Sequence, residues 1–118
     1  MLSRRFIALF LLLGVLLTSC ASKADFDIRG EWEYTMTDSN GNTYDAGTVT
    51  FSGKPAKGTY QQINIDQLEY EGGFNVNGST LELTGYETWK GTVVDANIMQ
   101  GSWTHADGTT GIFAALRK

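Results

Sequence analysis

GEWEYTMTDSNG, Gly30 to Gly41, decides the fold. Trp32, Tyr34 and Met36 alternate with Glu31, Glu33 and Thr35. A period of two places the three large apolar side chains on one face and the polar ones on the other, as in a strand with one wet face. Asn40-Gly41 then marks a tight turn, because Asn and Gly tolerate the positive φ that hairpin turns demand. The same grammar repeats down the chain. Tyr44 to Phe51 is a second strand with Val49 and Phe51 inward, and GKPAKG (Gly53 to Gly58) is a loop with Pro55 preset for a turn. Thr59 to Ile65 is a third strand, with Ile63 and Ile65 expected inward. Gln67 to Val76 follows, with Leu68, Tyr70, Phe74 and Val76 in phase and Gly72-Gly73 marking a bulge or sharp corner.

Asn77-Gly78 and Asp107-Gly108 are further tight turns, and Asp95-Ala96-Asn97 is a fourth reversal. Between them lie Thr80 to Gly85 with Leu81 and Leu83 on one face, then a strand carrying Trp89, Gly91 and Val93. Ile98 to His105 places Met99, Gly101 and Trp103 together, and Thr110 to Arg117 closes the chain. About eight short antiparallel strands without a crossover helix predict an all-β meander. An open meander leaves two edges free, and closure removes both. The expected fold is therefore a small up-and-down antiparallel barrel, with Trp32 near the Phe113 strand and a β-sandwich as the alternative. Trp32, Val49, Phe51, Leu81, Leu83 and Trp103 are the expected inward set. Gly30, Gly91, Gly101 and Gly111 suit places where a barrel wall bends.

Gly30-Glu31-Trp32 resembles the GxW opening strand of lipocalins and of the avidin-like barrels, and Gly101-Ser102-Trp103 resembles a later strand of the latter. That resemblance implies a closed antiparallel barrel, often with a ligand cavity at one end. The chain lacks the C-terminal helix of lipocalins and the tryptophan cage and polar ring of tight biotin binders, so the likeness is stronger for fold than for ligand.

The N-terminus is a different text. MLSRRFIALFLLLGVLLTSC has Arg4 and Arg5 before an apolar stretch of 12 residues, Phe6 to Leu17. That has the form of a secretory signal, and it is short of the ~20 residues a bilayer-spanning helix needs. Leu17-Thr18-Ser19-Cys20 resembles the bacterial lipobox at all four positions. The resemblance implies cleavage after Ser19 and acylation of Cys20 by a diacylglyceryl group and a further palmitate-type chain. It also implies a lipoprotein anchored in the cell envelope. Ala21, rather than Asp, points to the outer membrane with the body in the periplasm. The expected organisation is a signal peptide over 1–19, a lipidated tether over 20–27 and a barrel domain over 28–118.

Cleavage leaves 99 residues, seven Lys plus Arg against thirteen Asp plus Glu, and a net charge of −6. Such a balance repels phosphate backbones and argues against a nucleic-acid partner. It also disfavours anionic lipid headgroups. With Cys20 acylated, no thiol remains for a disulfide or a thiolate metal site.

Catalytic and cofactor signals are weak. His105 is the only histidine. Asp107 falls in a turn and Ser102 points to the other strand face, so a nucleophile and base do not meet at the ~2.6–3.2 Å they require. The ordinary role for His105 is a solvent-facing strand end. Asp66, Glu69 and Glu71 lack the spacing of a calcium loop, and neither zinc nor phosphate-loop motifs are present. No enzyme activity, cofactor or metal is expected.

Two readings remain. The first is a membrane-anchored, non-enzymatic envelope lipoprotein that binds a small apolar ligand or lipid fragment. Its candidate residues are Trp32, Trp89 and Trp103, with Tyr34 and Tyr60 near the mouth. All five serve equally well as core or strand residues. The second is a protein-interaction, scaffold or inhibitor module, as in small periplasmic barrels that inhibit secreted proteases.

Overall fold

Alternation at Trp32, Tyr34 and Met36 produces β1 (Gly30–Asp38), and all three side chains are buried. The chain continues as β2 (Thr43–Gly53), β3 (Lys57–Asn64), β4 (Glu69–Asn77) and β5 (Thr80–Thr84). It ends with β6 (Glu87–Asp95), β7 (Ile98–His105) and β8 (Thr110–Arg117). The computed structural model describes residues 23–118. The signal peptide, Cys20 and Ala21 lie outside the described residues.

Each strand pairs antiparallel with the next, and β8 returns to β1, so the sheet closes as an eight-stranded up-and-down barrel. The closing register sets Trp32 opposite Arg117 and Met36 opposite Phe113. The expected tight turns hold: Gly41, Gly78 and Gly108 all have positive φ. All six residues of the expected inward set are buried.

Two strands differ from the expectation. In β3 the inward residues are Tyr60, Gln62 and Asn64, while Ile63 is half-buried and Ile65, in the turn just past the strand, is 68% exposed. The phase is set by Tyr60, which pairs with Gly72 across β3–β4, rather than by the isoleucines. Leu68 lies in the turn and is exposed. Gly72-Gly73 is not a bulge, because the β3–β4 register runs through it unbroken, and the β4–β5 register begins at Gly73. Gly72 is required for a different reason: a Cβ there would collide with Thr84 O and fall 2.8 Å from the Tyr60 ring. The bulges lie instead between Met36 and Thr37, where Tyr44 of β2 is the extra residue, and between Val93 and Asp95 of β6.

The barrel has two unlike ends. The base carries the turns after β2, β4 and β6, the first described residue, Lys23, and the C-terminus. Here the segment read as a tether is seated on the fold: Asp25 N–H donates to Gly78 O at 2.8 Å and Gly78 N–H to Lys23 O at 2.7 Å. Ala24 and Phe26 pack against the core and Ile28 is fully buried. The mouth carries the turns after β1, β3, β5 and β7.

Candidate site at the barrel mouth

The axis is occupied by aromatic layers. At the base the Trp32 indole N–H donates to Ile28 O at 2.8 Å, and the Arg117 guanidinium lies 4.6 Å above its ring. Phe51 meets Phe74 edge-on, with centroids 5.2 Å apart. Higher up, Trp89 stacks on Phe113 at 4.7 Å and takes the edge of Tyr34 at 5.4 Å. Trp103 forms the uppermost layer. Its indole N–H donates to Thr37 O at 3.0 Å, close to Gly111, where a Cβ would sit 2.8 Å from the indole nitrogen.

Trp32, Trp89 and Trp103 thus lie in the filled interior, Trp32 farthest from the mouth. Tyr34 and Tyr60 are buried on the inward faces of β1 and β3. Gln62 Nε2 donates to the Tyr34 hydroxyl at 3.0 Å, and that hydroxyl donates to Asp45 Oδ2 at 3.2 Å. Burial raises the Tyr34 hydroxyl well above its ordinary range, against the opposing pull of Gln62. Tyr60 is pushed up to about 12 by burial and then by the Glu87 charge.

Above the Trp103 layer the inner wall becomes polar and aromatic together. The β2 bulge re-aims Tyr44, so its ring covers Trp103 with centroids 4.2 Å apart. Across the mouth Tyr70 stacks on Tyr86 at 4.5 Å, and Tyr86 lies 4.8 Å from His105. Tyr44 and Tyr86 are exposed.

Glu87 and His105 are directly opposed in the β6–β7 register. Glu87 is 5% exposed. Burial pushes its carboxyl above the usual range, His105 lowers it, Asp45 raises it, and a hydrogen bond from Tyr44 lowers it. His105 Nδ1 stands 3.9 Å from Glu87 Oε2, beyond hydrogen-bond range, and is buried without a hydrogen-bond partner among the described residues. The histidine therefore faces the mouth, with its side chain 19% exposed, rather than solvent at a strand end. Ser102 is exposed on the outer wall, and the Asp107 carboxylate, held below its ordinary range, accepts from Thr109 N–H at 2.8 Å. Neither approaches the Glu87–His105 pair as a nucleophile or orienting group.

Sequence reasoning missed Asp45, Gln62 and the place of Glu87 at the mouth. Counting back from the turn at Asp95-Ala96-Asn97 already sets Trp89 opposite Trp103 and Glu87 opposite His105, which was the available signal. No comparable signal announced the Tyr44 bulge.

The ends also differ in charge. By strand direction Lys23, Arg29, Lys54, Lys57, Arg117 and Lys118 fall at the base, mixed with Asp25, Asp27, Glu31 and Asp95. The mouth carries Asp38, Asp45, Asp66, Glu69, Glu87 and Asp107, and no Lys or Arg among the described residues. The body is therefore not uniformly acidic, as its net charge suggested. No three His, Cys, Asp or Glu side chains converge as a metal site among the described residues. A groove of about 680 Å³ is lined by Thr50, Ser52, Thr59, Gln61 and Glu71 on the wall, with Tyr60 and Gly72 beneath.

Neither a protein-family model nor a curated protein matches the chain. Solved structures do. A redesigned β-barrel, b11L5F_LGL, superposes with a TM-score of 0.63 at 19% identity, covering 77% of this chain and 91% of that one. The redesigned barrel mFAP0, bound to DFHBI, gives 0.59 at 20% identity over 76% and 98%. A de novo designed fluorescence-activating β-barrel gives 0.58 at 20% identity over 78% and 94%. At these identities the likeness speaks for architecture, and this chain is a closed eight-stranded antiparallel β-barrel.

Proposed function

We propose that this protein is a non-enzymatic binding module that takes a small ligand with an apolar body at the mouth of its barrel. In this reading a lipid on Cys20 holds the base at a membrane of the cell envelope. The observation that carries the proposal is the mouth itself: four aromatic side chains, two of them exposed, surround a buried carboxylate and one imidazole nitrogen without a hydrogen-bond partner among the described residues. Ligand sites combine an apolar lining with a few convergent polar groups in this way. The lower barrel is filled, so the ligand rests on the Tyr44 ring that covers Trp103 and not beside Trp32. Two of the matched barrels, mFAP0 and mFAP1, are bound to DFHBI, which supports the same use of the architecture here.

The anchor fits this orientation. Lys23 is fixed to the base and lies three residues after Cys20. At roughly 3.5 Å per residue, the acyl chains attach within about 10 Å of the base. The mouth then points away from the membrane, towards the aqueous space, and a soluble ligand suits it better than a bilayer lipid.

The test is titration of the purified acylated protein in detergent with neutral aromatic dyes, following tryptophan fluorescence. A saturable change is expected, weakened by Tyr44→Ala. One observation favours a second reading: Ile98, Ile112 and Leu116 are exposed on the outer wall of β7 and β8, with Ile98 directly opposite Leu116. Absence of any saturable response would transfer the proposal to a protein partner on that wall.

A further inference from the structure

We infer that the ligand of the mouth is an organic cation, an ammonium group carried on a flat apolar body. The inference rests on the reading of the mouth as the ligand site. Six carboxylates share this end with no Lys or Arg among the described residues. Glu87 is nine-tenths buried and has no cationic partner except His105, whose Nδ1 is 3.9 Å away. A buried carboxylate without a close counter-charge is costly. A single donor group between Glu87 Oε2 and His105 Nδ1 satisfies the unpartnered nitrogen when it carries the lone pair, and gives the carboxylate a second donor beside Tyr44. An ammonium supplies up to three such donors and the missing charge. The exposed rings of Tyr44 and Tyr86 present π faces that attract a cation and cover an apolar body. An anion meets six like charges, and a neutral head leaves Glu87 uncompensated.

Three probes with one phenyl ring and different heads separate the outcomes: 2-phenylethylammonium, 2-phenylethanol and 3-phenylpropionate. Each is titrated into the full mature protein at pH 7 while the backbone amide signals of Tyr44, Glu87 and His105 are followed by NMR. The ammonium is expected to bind roughly tenfold or more tightly than the alcohol, as a charge-assisted hydrogen bond contributes, with the anion weakest. Glu87→Gln should erase the preference for the ammonium over the alcohol, and Ile112→Ser on the outer wall should change nothing. If the alcohol binds as tightly as the ammonium, or the anion binds best, the inference is overturned and the mouth remains a ligand site. If none of the three moves the mouth signals, while the neutral dyes bind elsewhere or not at all, both readings fall together.

Discussion

The base and the mouth are built from similar residues and do opposite things with them. At the base, Arg117 lies over Trp32 and spends its donors on Ala96 O, Arg29 O and Asp27 O at 2.8, 2.9 and 2.6 Å. Asp27 in turn takes Arg29, which holds its carboxyl down to about 2. The Arg117, Asp27 and Arg29 side chains thus each have a near partner, and the indole beneath them is sealed. At the mouth a carboxylate is buried with its ordinary ionisation disfavoured, an imidazole nitrogen is orphaned, and tyrosine rings stand in water. Local rules are commonly broken where a protein binds something, and the cost is met by well-packed structure elsewhere. The base is the part that holds the fold, and the mouth is the part that gives up stability.

The largest expected effect follows at the base. Trp32→Ala removes a fully buried indole and leaves the Ile28 carbonyl and Arg117 without it, so equilibrium urea unfolding should show a loss of about 3–5 kcal/mol. Tyr44→Ala at the mouth removes a ring that is already 40% exposed. It should cost much less while weakening ligand uptake. Equal losses at the two positions would break the division between the ends.

A smaller effect of opposite sign belongs to Glu87. Burial raises its carboxyl above the unfolded value of 4.5, so the folded state holds that proton to higher pH. The stability this confers is fully present below the unfolded value and is lost as pH rises through the folded one. Glu87→Gln removes this dependence. Thermal unfolding across pH 3 to 8 should find the variant more stable than wild type at pH 7, by less than the Trp32 loss, with a flatter profile on the acid side. A Gln variant less stable than wild type at pH 7 would mean that Glu87 is fully compensated and the mouth carries no such cost.

The strands were legible because the base half of the barrel obeys simple alternation, and the turns because both ends use residues that accept a positive φ. Trp32, Val49 and Phe51 are apolar, inward and in phase, and Asn40-Gly41, Asn77-Gly78 and Asp107-Gly108 stand where positive φ is needed. Closure was legible from the edge argument. The candidate site was less so. Of the five aromatic candidates, Trp32, Trp89 and Trp103 occupy the filled axis, and Tyr34 and Tyr60 reach towards the mouth from below. Apolar periodicity finds buried hydrophobic faces, and the mouth half of the inner wall is not one. Tyr44 faces the mouth only because a bulge breaks the parity of β2, which no count of alternating residues reveals.

The third strand gives the smallest effect and the sharpest check on phase. By hydrophobicity Ile63 and Ile65 belong inside and Gln62 outside. In the barrel Gln62 is 2% exposed, because its amide donates to the Tyr34 hydroxyl, and Ile65 is among the most exposed apolar side chains described. Ile65→Thr on that account removes apolar surface that is already in water. It should shift urea stability by no more than about 0.5 kcal/mol, as for other surface substitutions. Were Ile65 inward, the same change would put a hydroxyl into the core and remove packed methyls, costing on the order of 1–3 kcal/mol. A loss in that higher range would shift β3 by one residue, turn Gln62 and Asn64 out to solvent, and take away the hydrogen bond that ties Tyr34 to the mouth.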